Sequence, residues 1–273
     1  MALTSSLGKK TAYIDHYSKE LLFPISRKEK RDELGIKSAV PFFGCDIWNA
    51  YEISWLNEAG KPEVRIAEII YSSDSPNIIE SKSLKLYLNS LNGTKFLSEI
   101  EVRNLIKKDL SEAIKDKVIV KFFPLEFNFK LNKPSGICID HLNIGCTKET
   151  KTITPEILSV EDTFCKEHIY SNLLKSNCPV TKQPDWATVE ISYEGQKIDN
   201  KSLLQYIISY RDCAEFHEQC VERMFVDIKR FCKPKKLTIY ARYTRRGGID
   251  INPFRTSEKF EFLQVRNSRL ARQ

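Results

Sequence analysis

The chain carries one stretch of sequence twice, and duplication restricts a fold more tightly than composition does, because each copy must bury its apolar face against a similar neighbour. The segment VPFFGCDIWNAYEISW from Val40 and the segment CPVTKQPDWATVEISY from Cys178 agree at five of sixteen positions, among them Pro41/Pro179, Trp48/Trp186 and Glu52-Ile53-Ser54/Glu190-Ile191-Ser192. Downstream, Ile79-Glu80-Ser81-Lys82-Ser83-Leu84 answers Ile198-Asp199-Asn200-Lys201-Ser202-Leu203, and seven of the twenty-one positions from Lys82 match those from Lys201. Chance predicts roughly one identity in each block. The blocks keep the same order, so the reading is a tandem duplication.

The copies differ in their reactive side chains. On this alignment Cys178 faces Val40, Asp185 faces Ile47 and His217 faces Ser98. A nucleophile, an acid and a second proton donor therefore exist only in the second copy, and the first is expected to be catalytically blank. It keeps Glu80, whose counterpart Asp199 is also a carboxylate, which suits a binding role in a site drawn from both halves.

Length and patterning set the frame. With 273 residues, 41% of them apolar, two ordinary cores are affordable. We divide the chain into an N-terminal arm (1–38), a first module (39–131), a connector (132–160) and a second module (161–273). Tyr51, Ile53 and Trp55, and likewise Val189, Ile191 and Tyr193, alternate as strands do. Turn residues at Asn57 to Pro62 and at Glu194 to Gln196 then suggest hairpins. Two helical patterns follow in each copy, and strand patterns close them at Lys117 to Phe129 and Leu237 to Tyr243. This order predicts an α+β class, each module an antiparallel sheet with two helices on one face.

No apolar run approaches the roughly 20 residues of a membrane helix, and MALTSSLGKK lacks a signal peptide's apolar core. Eight cysteines without close pairing argue against a disulfide framework, so a soluble, cytoplasmic protein is expected. The net charge of +7 is concentrated between Lys229 and Arg246, with eight Lys or Arg and no acid. Such a stretch suits nucleic acid, a phosphorylated small ligand, or plain solvation.

Cys178 stands in Lys-Ser-Asn-Cys-Pro-Val-Thr, a polar turn-like setting, whereas most cysteines are small buried hydrophobes. A reactive thiolate needs partial access and a nearby base, and Asp185 follows seven residues later. His217 precedes Val221, Met224 and Ile228 on one helical stripe; the ordinary role there is a satisfied core histidine, the alternative a pocket residue beside Glu218. Cys213, His217 and Cys220 fall on one helical face, but three ligands on one helix do not surround a metal, and no Cys-x-x-Cys pair exists. No metal site is expected. Ser81-Lys82-Ser83 opens a helix whose free N–H groups would favour an anion. Arg245-Arg246-Gly247-Gly248 offers a second phosphate contact or a simple basic turn.

Glu80-Ser81-Lys82-Ser83-Leu84-Lys85-Leu86-Tyr87, Cys178-Pro179-Val180-Thr181 through Gln183-Pro184-Asp185-Trp186, and Phe216-His217-Glu218 together closely resemble the NADPH-dependent 7-cyano-7-deazaguanine reductases, the QueF nitrile reductases of the long, tandem type. The resemblance runs from about residue 40 over nearly the whole remaining chain. It implies two T-fold (tunnelling fold) modules and reduction of 7-cyano-7-deazaguanine to the 7-aminomethyl compound in queuosine biosynthesis. It also implies two NADPH per turnover, no metal, a homodimer, and no direct contact with membrane or nucleic acid. Cys178 would form a covalent thioimidate, Asp185 would relay protons, and His217 would orient the substrate and assist. Ile78, Ile79, Glu80, Phe216, His217 and Glu218 would bind the deazaguanine, and Ser81, Lys82, Arg246 and Gly247 the NADPH. The rival readings are a metal-dependent GTP cyclohydrolase-like enzyme of the same fold and a noncatalytic RNA-binding module.

Overall fold

The structure is a computed structural model describing residues 14–37, 39–145 and 152–273. The described part of the N-terminal arm holds β1 (Pro24–Ser26) and α1 (Lys28–Glu33). The first module follows with β2 (Phe43–Leu56), β3 (Pro62–Ser72), β4 (Asn77–Ile79), α2 (Ser81–Ser90), α3 (Glu99–Ile114) and β5 (Val118–Phe123). A short strand, β6 (Ile137–Cys138), lies in the connector. The second module comprises β7 (Val160–Asn177), β8 (Pro184–Ile198), α4 (Asn200–Ser209), α5 (His217–Phe231), β9 (Lys236–Tyr243) and β10 (Ile249–Thr256).

One eight-stranded sheet, in the order β5-β3-β2-β10-β9-β8-β7-β6, runs through both modules. Its pairings are antiparallel except for β6 against β7. Each module is a strand hairpin, two helices and a return to the sheet, the α+β plan expected of T-folds in tandem. The modules join where β10 pairs with β2, from Ile249 opposite Ala50 to Thr256 opposite Phe43.

Local chemistry accounts for the helix starts. Glu80 caps α2, its carboxylate accepting from the backbone N–H groups of Lys82 at 2.9 Å and Ser83 at 2.7 Å. Asp199 caps α4 in the same way, accepting from Ser202 N–H at 2.7 Å. The two carboxylates matched between the copies are thus the two N-caps, each supplying an acceptor that an opening helix lacks, worth about 1 kcal/mol.

Period-two alternation separates the faces of the sheet. Trp48, Ala50, Ile69 and Tyr71 pack under α2 and α3; Val189, Ile191, Ile239 and Ala241 pack under α4 and α5, against Val221, Met224, Phe225 and Ile228. The intervening Cys45, Ile47, Ile70 and Tyr240 face the other way, toward Phe254, Phe260, Phe262 and Val265.

Two sequence expectations need correction. The match of 40–55 with 178–193 equates β2 with the residues leading into and along β8, but β2 is the first strand of its module and β8 the second. The facing of Cys178 with Val40 and of Asp185 with Ile47 therefore has no topological meaning, whereas the α2/α4 match does. Glu194 to Gln196 is not a turn either. β8 runs straight through Gly195, which pairs with Cys165 of β7, and a Cβ there would come within 2.9 Å of Pro234 Cα. Glycine serves the close approach of another chain segment, a signal that reads as a turn in sequence.

Candidate active site

A cavity of about 210 Å3 opens over the seam between the modules. Glu80, Ser81, Lys82 and Lys85 line it from the first module; Cys178, Asp185, His217, Arg246 and Gly247 line it from the second, with Tyr243, Ile249, Asp250 and Ile251 among its walls. A larger cavity of about 340 Å3 lies under residues 260–270 and contains none of the candidate catalytic, substrate or cofactor residues named from the sequence.

Cys178 occupies the six-residue loop between β7 and β8. Its N–H donates to the Gln183 carbonyl at 2.8 Å, the Lys182 N–H donates back to the Cys178 carbonyl at 3.0 Å, and Lys182 closes the loop with φ of 58°. The preceding Asn177 N–H is tied to the Cys213 carbonyl at 2.7 Å. The thiol is thus held by a closed turn at the cavity wall, with 6% of the residue exposed.

Asp185, the second residue of β8, is also buried. Its Oδ1 is 2.9 Å from Arg246 Nη1, and its Oδ2 is 3.6 Å from His217 Nε2, an ion-pair separation longer than a hydrogen bond. His217 is the first residue of α5 rather than an interior one, and its ring packs on Tyr243 with centroids 3.9 Å apart. Arg246 reaches Asp185 from the β9–β10 hairpin, closed by Arg246 N–H to the Ile249 carbonyl at 2.9 Å. Gly247 and Gly248 take φ of 63° and 82°, the left-handed pair that a two-residue hairpin of this hand requires.

Glu80 combines its place in the cavity with the cap on α2. Because its carboxylate fills the N–H groups of Lys82 and Ser83, the helix N-terminus is not free to take an anion as the sequence suggested. Positive charge in this part of the cavity comes instead from Lys82, Lys85 and Arg246. Glu218 lies one residue beyond His217, fully buried, with Oε1 lacking a hydrogen-bond partner. Burial pushes its pKa up to about 8; Asp46 adds to the rise, while Arg27 and Arg255 oppose it. Ile78 and Ile79 are buried in β4, and Phe216 precedes α5 as its N-cap residue. These three and Glu218 are not among the cavity's lining residues.

Cys213 lies before α5 and so does not share a helical face with His217 and Cys220. Among the described residues, the metal-ligating atoms that converge belong to Cys213, Glu215 and Cys220, all within 4.8 Å of one another. Glu215 is already engaged by Arg223, with Nε to Oε2 at 3.1 Å and Nη2 to Oε1 at 2.5 Å, so a cation there would compete with a guanidinium.

Sequence reading missed Asp250, which lines the cavity and accepts hydrogen bonds from Asn49 at 2.7 Å, Tyr51 at 2.5 Å and Asn252 at 2.5 Å. Its one signal was a carboxylate two residues after the Gly-Gly turn. It also missed Arg27 of the arm, which is buried against Asp46 and Glu222 and sits in a segment too polar to suggest burial.

A family model described as nitrile reductase, 7-cyano-7-deazaguanine-reductase N-term matches residues 13–122, and one described as QueF-like protein matches residues 184–261. An NADPH-dependent 7-cyano-7-deazaguanine reductase of Azoarcus sp. (strain BH72) is 51% identical over 261 residues, covering 94% of this chain and 92% of that protein. Proteins of the same name are similar in Polaromonas sp. (strain JS666 / ATCC BAA-500), at 50% with 98% of each chain covered, and in Hydrogenovibrio crunogenus (strain DSM 25203 / XCL-2), at 51% with 96% and 95% covered.

Proposed function

The chain belongs to the QueF nitrile reductase family, and from that membership we propose that it reduces 7-cyano-7-deazaguanine (preQ0) to 7-aminomethyl-7-deazaguanine (preQ1) with NADPH, as a step toward queuosine. The supporting observation is the convergence of Cys178, Asp185 and His217 on one cavity with Glu80 and three cationic side chains.

A nitrile carbon is a poor hydride acceptor until a nucleophile adds to it, and a cysteine in a polar, closed loop supplies that nucleophile. Cys178 Sγ bonds to the nitrile carbon, and Asp185 takes the thiol proton and returns it to the nitrogen, leaving a thioimidate. His217, braced on Tyr243, faces the same carboxylate and assists proton delivery. After reduction at carbon, the C–S bond breaks, Cys178 leaves as a thiol and an imine remains for a second reduction. Glu80, in the cavity lining, retains acceptor capacity beyond its cap contacts, and Glu218, buried behind that lining, has an unpartnered oxygen that a shift of the cavity wall would open to the ligand; both suit the N–H and amino edge of a deazaguanine.

The donor set fits a phosphorylated dinucleotide, because Ser81, Lys82, Lys85, Arg246 and Gly247 place hydroxyl, cationic and unhindered backbone groups in the cavity lining. When bound, NADPH supplies hydride. Four electrons separate nitrile from amine, hence two NADPH per turnover, and the covalent route through Cys178 calls on no metal. The enzyme acts on the free base rather than on nucleic acid, in the cytoplasm and as a homodimer; light scattering on the purified protein checks the last point. No helix among the described residues is long and apolar enough to cross a membrane.

The decisive experiment adds 7-cyano-7-deazaguanine to chelator-treated protein and counts NADPH oxidised per nitrile by absorbance. Two per nitrile is expected. No consumption by folded protein would overturn the reading.

A further inference from the structure

Arg246, assigned above to the cofactor, also touches the group that handles protons. Its Nη1 lies 2.9 Å from Asp185 Oδ1. The side chain of Asp185 is 8% exposed and that of Arg246 is 40% exposed, so a guanidinium reachable from solvent grips a carboxylate that is not. The backbone around Arg246 is rigid, because the hairpin closes through two hydrogen bonds between Arg246 and Ile249, at 2.9 Å and 3.3 Å. The other contact to Asp185, from His217 Nε2 at 3.6 Å, is too long to orient it.

We propose that Arg246 is a positioning residue for the addition of Cys178 to the nitrile, a step completed without cofactor: its guanidinium sets the Asp185 carboxylate to receive the thiol proton. The inference rests on the reductase reading. In the step concerned, the S–H bond breaks and its proton passes to Asp185, Sγ bonds to the nitrile carbon, and one C–N π pair moves to nitrogen. Nitrogen then takes the proton from Asp185. Atoms and charge balance with no oxidant or reductant. An Arg–carboxylate ion pair at this separation holds the carboxylate in place, and a proton acceptor displaced by about 1 Å costs on the order of a hundredfold in rate.

The two roles of Arg246 separate when NADPH is left out. Wild type, R246Q and R246K are each mixed with 7-cyano-7-deazaguanine alone, quenched at intervals, and followed by intact-protein mass spectrometry for the covalent adduct. R246Q is expected to slow adduct formation by roughly tenfold to a hundredfold, and R246K to recover a large part, since an ammonium still holds the carboxylate. Equal rates in wild type and R246Q would overturn the proposal and leave Arg246 to the cofactor alone. A lysine variant as slow as the glutamine variant would also overturn it, because the loss would then not follow the positive charge. Absence of any adduct on the wild-type protein would instead remove the reductase reading on which the proposal stands.

Discussion

At the scale of single residues, Glu218 is the most informative group, because its environment opposes the charge that its proposed task requires. Burial raises its pKa to about 8 and Asp46 pushes the same way, so at pH 7 the ligand-free carboxyl is mostly protonated. Once the cavity wall shifts to open it, a purine-like edge presenting N–H groups to the unpartnered Oε1 favours the ionised form. Nitrile binding at pH 7 should therefore release close to one proton, and affinity should rise as pH climbs toward 8. Calorimetric titrations in two buffers of different ionisation enthalpy would measure the release, and Glu218→Gln should abolish it. For stability the sign is opposite: a carboxyl raised from 4.5 to about 8 on folding leaves the folded state holding the extra proton, so its contribution is full below 4.5 and lost as pH rises through 8. The reacting thiol permits a sharper test. Cys178→Ala should eliminate the covalent adduct while leaving a folded protein, because the residue's own backbone N–H and carbonyl, not its sulfur, close the loop; an unchanged adduct mass would place the nucleophile elsewhere.

At the scale of elements, α5 couples chemistry to architecture. Its first turn presents His217 and Glu218, and its next turn buries Glu222 among Arg27 at 3.3 Å, Arg31 at 2.7 Å and Arg255 at 2.9 Å. Asp46 of β2 pairs with Arg27 and, at 2.8 Å, with Arg255 of β10. The arm, both modules and the helix that carries the site thus meet in one ion cluster. Burial alone would raise the Glu222 pKa, but Arg255, Arg31 and Arg27 outweigh it and hold it at about 2. That stabilisation is present above the ordinary value of 4.5 and lost as pH falls toward 2. Glu222→Gln strips a partner from buried guanidinium groups and should destabilise by about 3–5 kcal/mol; denaturant melts at pH 7 and pH 3 should show the gap between variant and wild type narrowing at the lower pH. None of this cluster was legible in sequence, since Arg27 and Glu222 are 195 residues apart and each reads locally as a surface charge. The starts of α2 and α4 were legible, because an N-cap carboxylate ahead of an apolar helical stripe is a local signal. The strand match failed because alternation is common to every half-buried strand and does not record which strand of a hairpin it belongs to.

At the scale of the whole molecule, the cavity belongs to the junction of the copies. β10 ends the second module and pairs with β2, which begins the sheet of the first. Ile249, Asp250 and Ile251 of β10 therefore stand in the cavity wall within reach of the α2 start. This arrangement explains how a module without Cys178, Asp185 and His217 still presents a carboxylate to the site. The duplication and the reactive trio were readable from the chain, but the seam was not, because pairing between distant strands leaves no local pattern. Glu80 tests whether the site spans the seam. Replacing it with leucine removes the α2 cap, at about 1 kcal/mol, and also a carboxylate from the cavity. If both copies serve one site, Glu80→Leu should raise the KM for the nitrile at least tenfold with a smaller change in kcat. Asp199→Leu removes the equivalent cap of α4, outside the cavity lining, and should lower stability by a similar amount while leaving that KM near wild type. Steady-state kinetics on both variants beside their melting curves decide it: an equal effect of the two substitutions on KM would mean that Glu80 acts only through its helix, and that the first module supports the site without entering it.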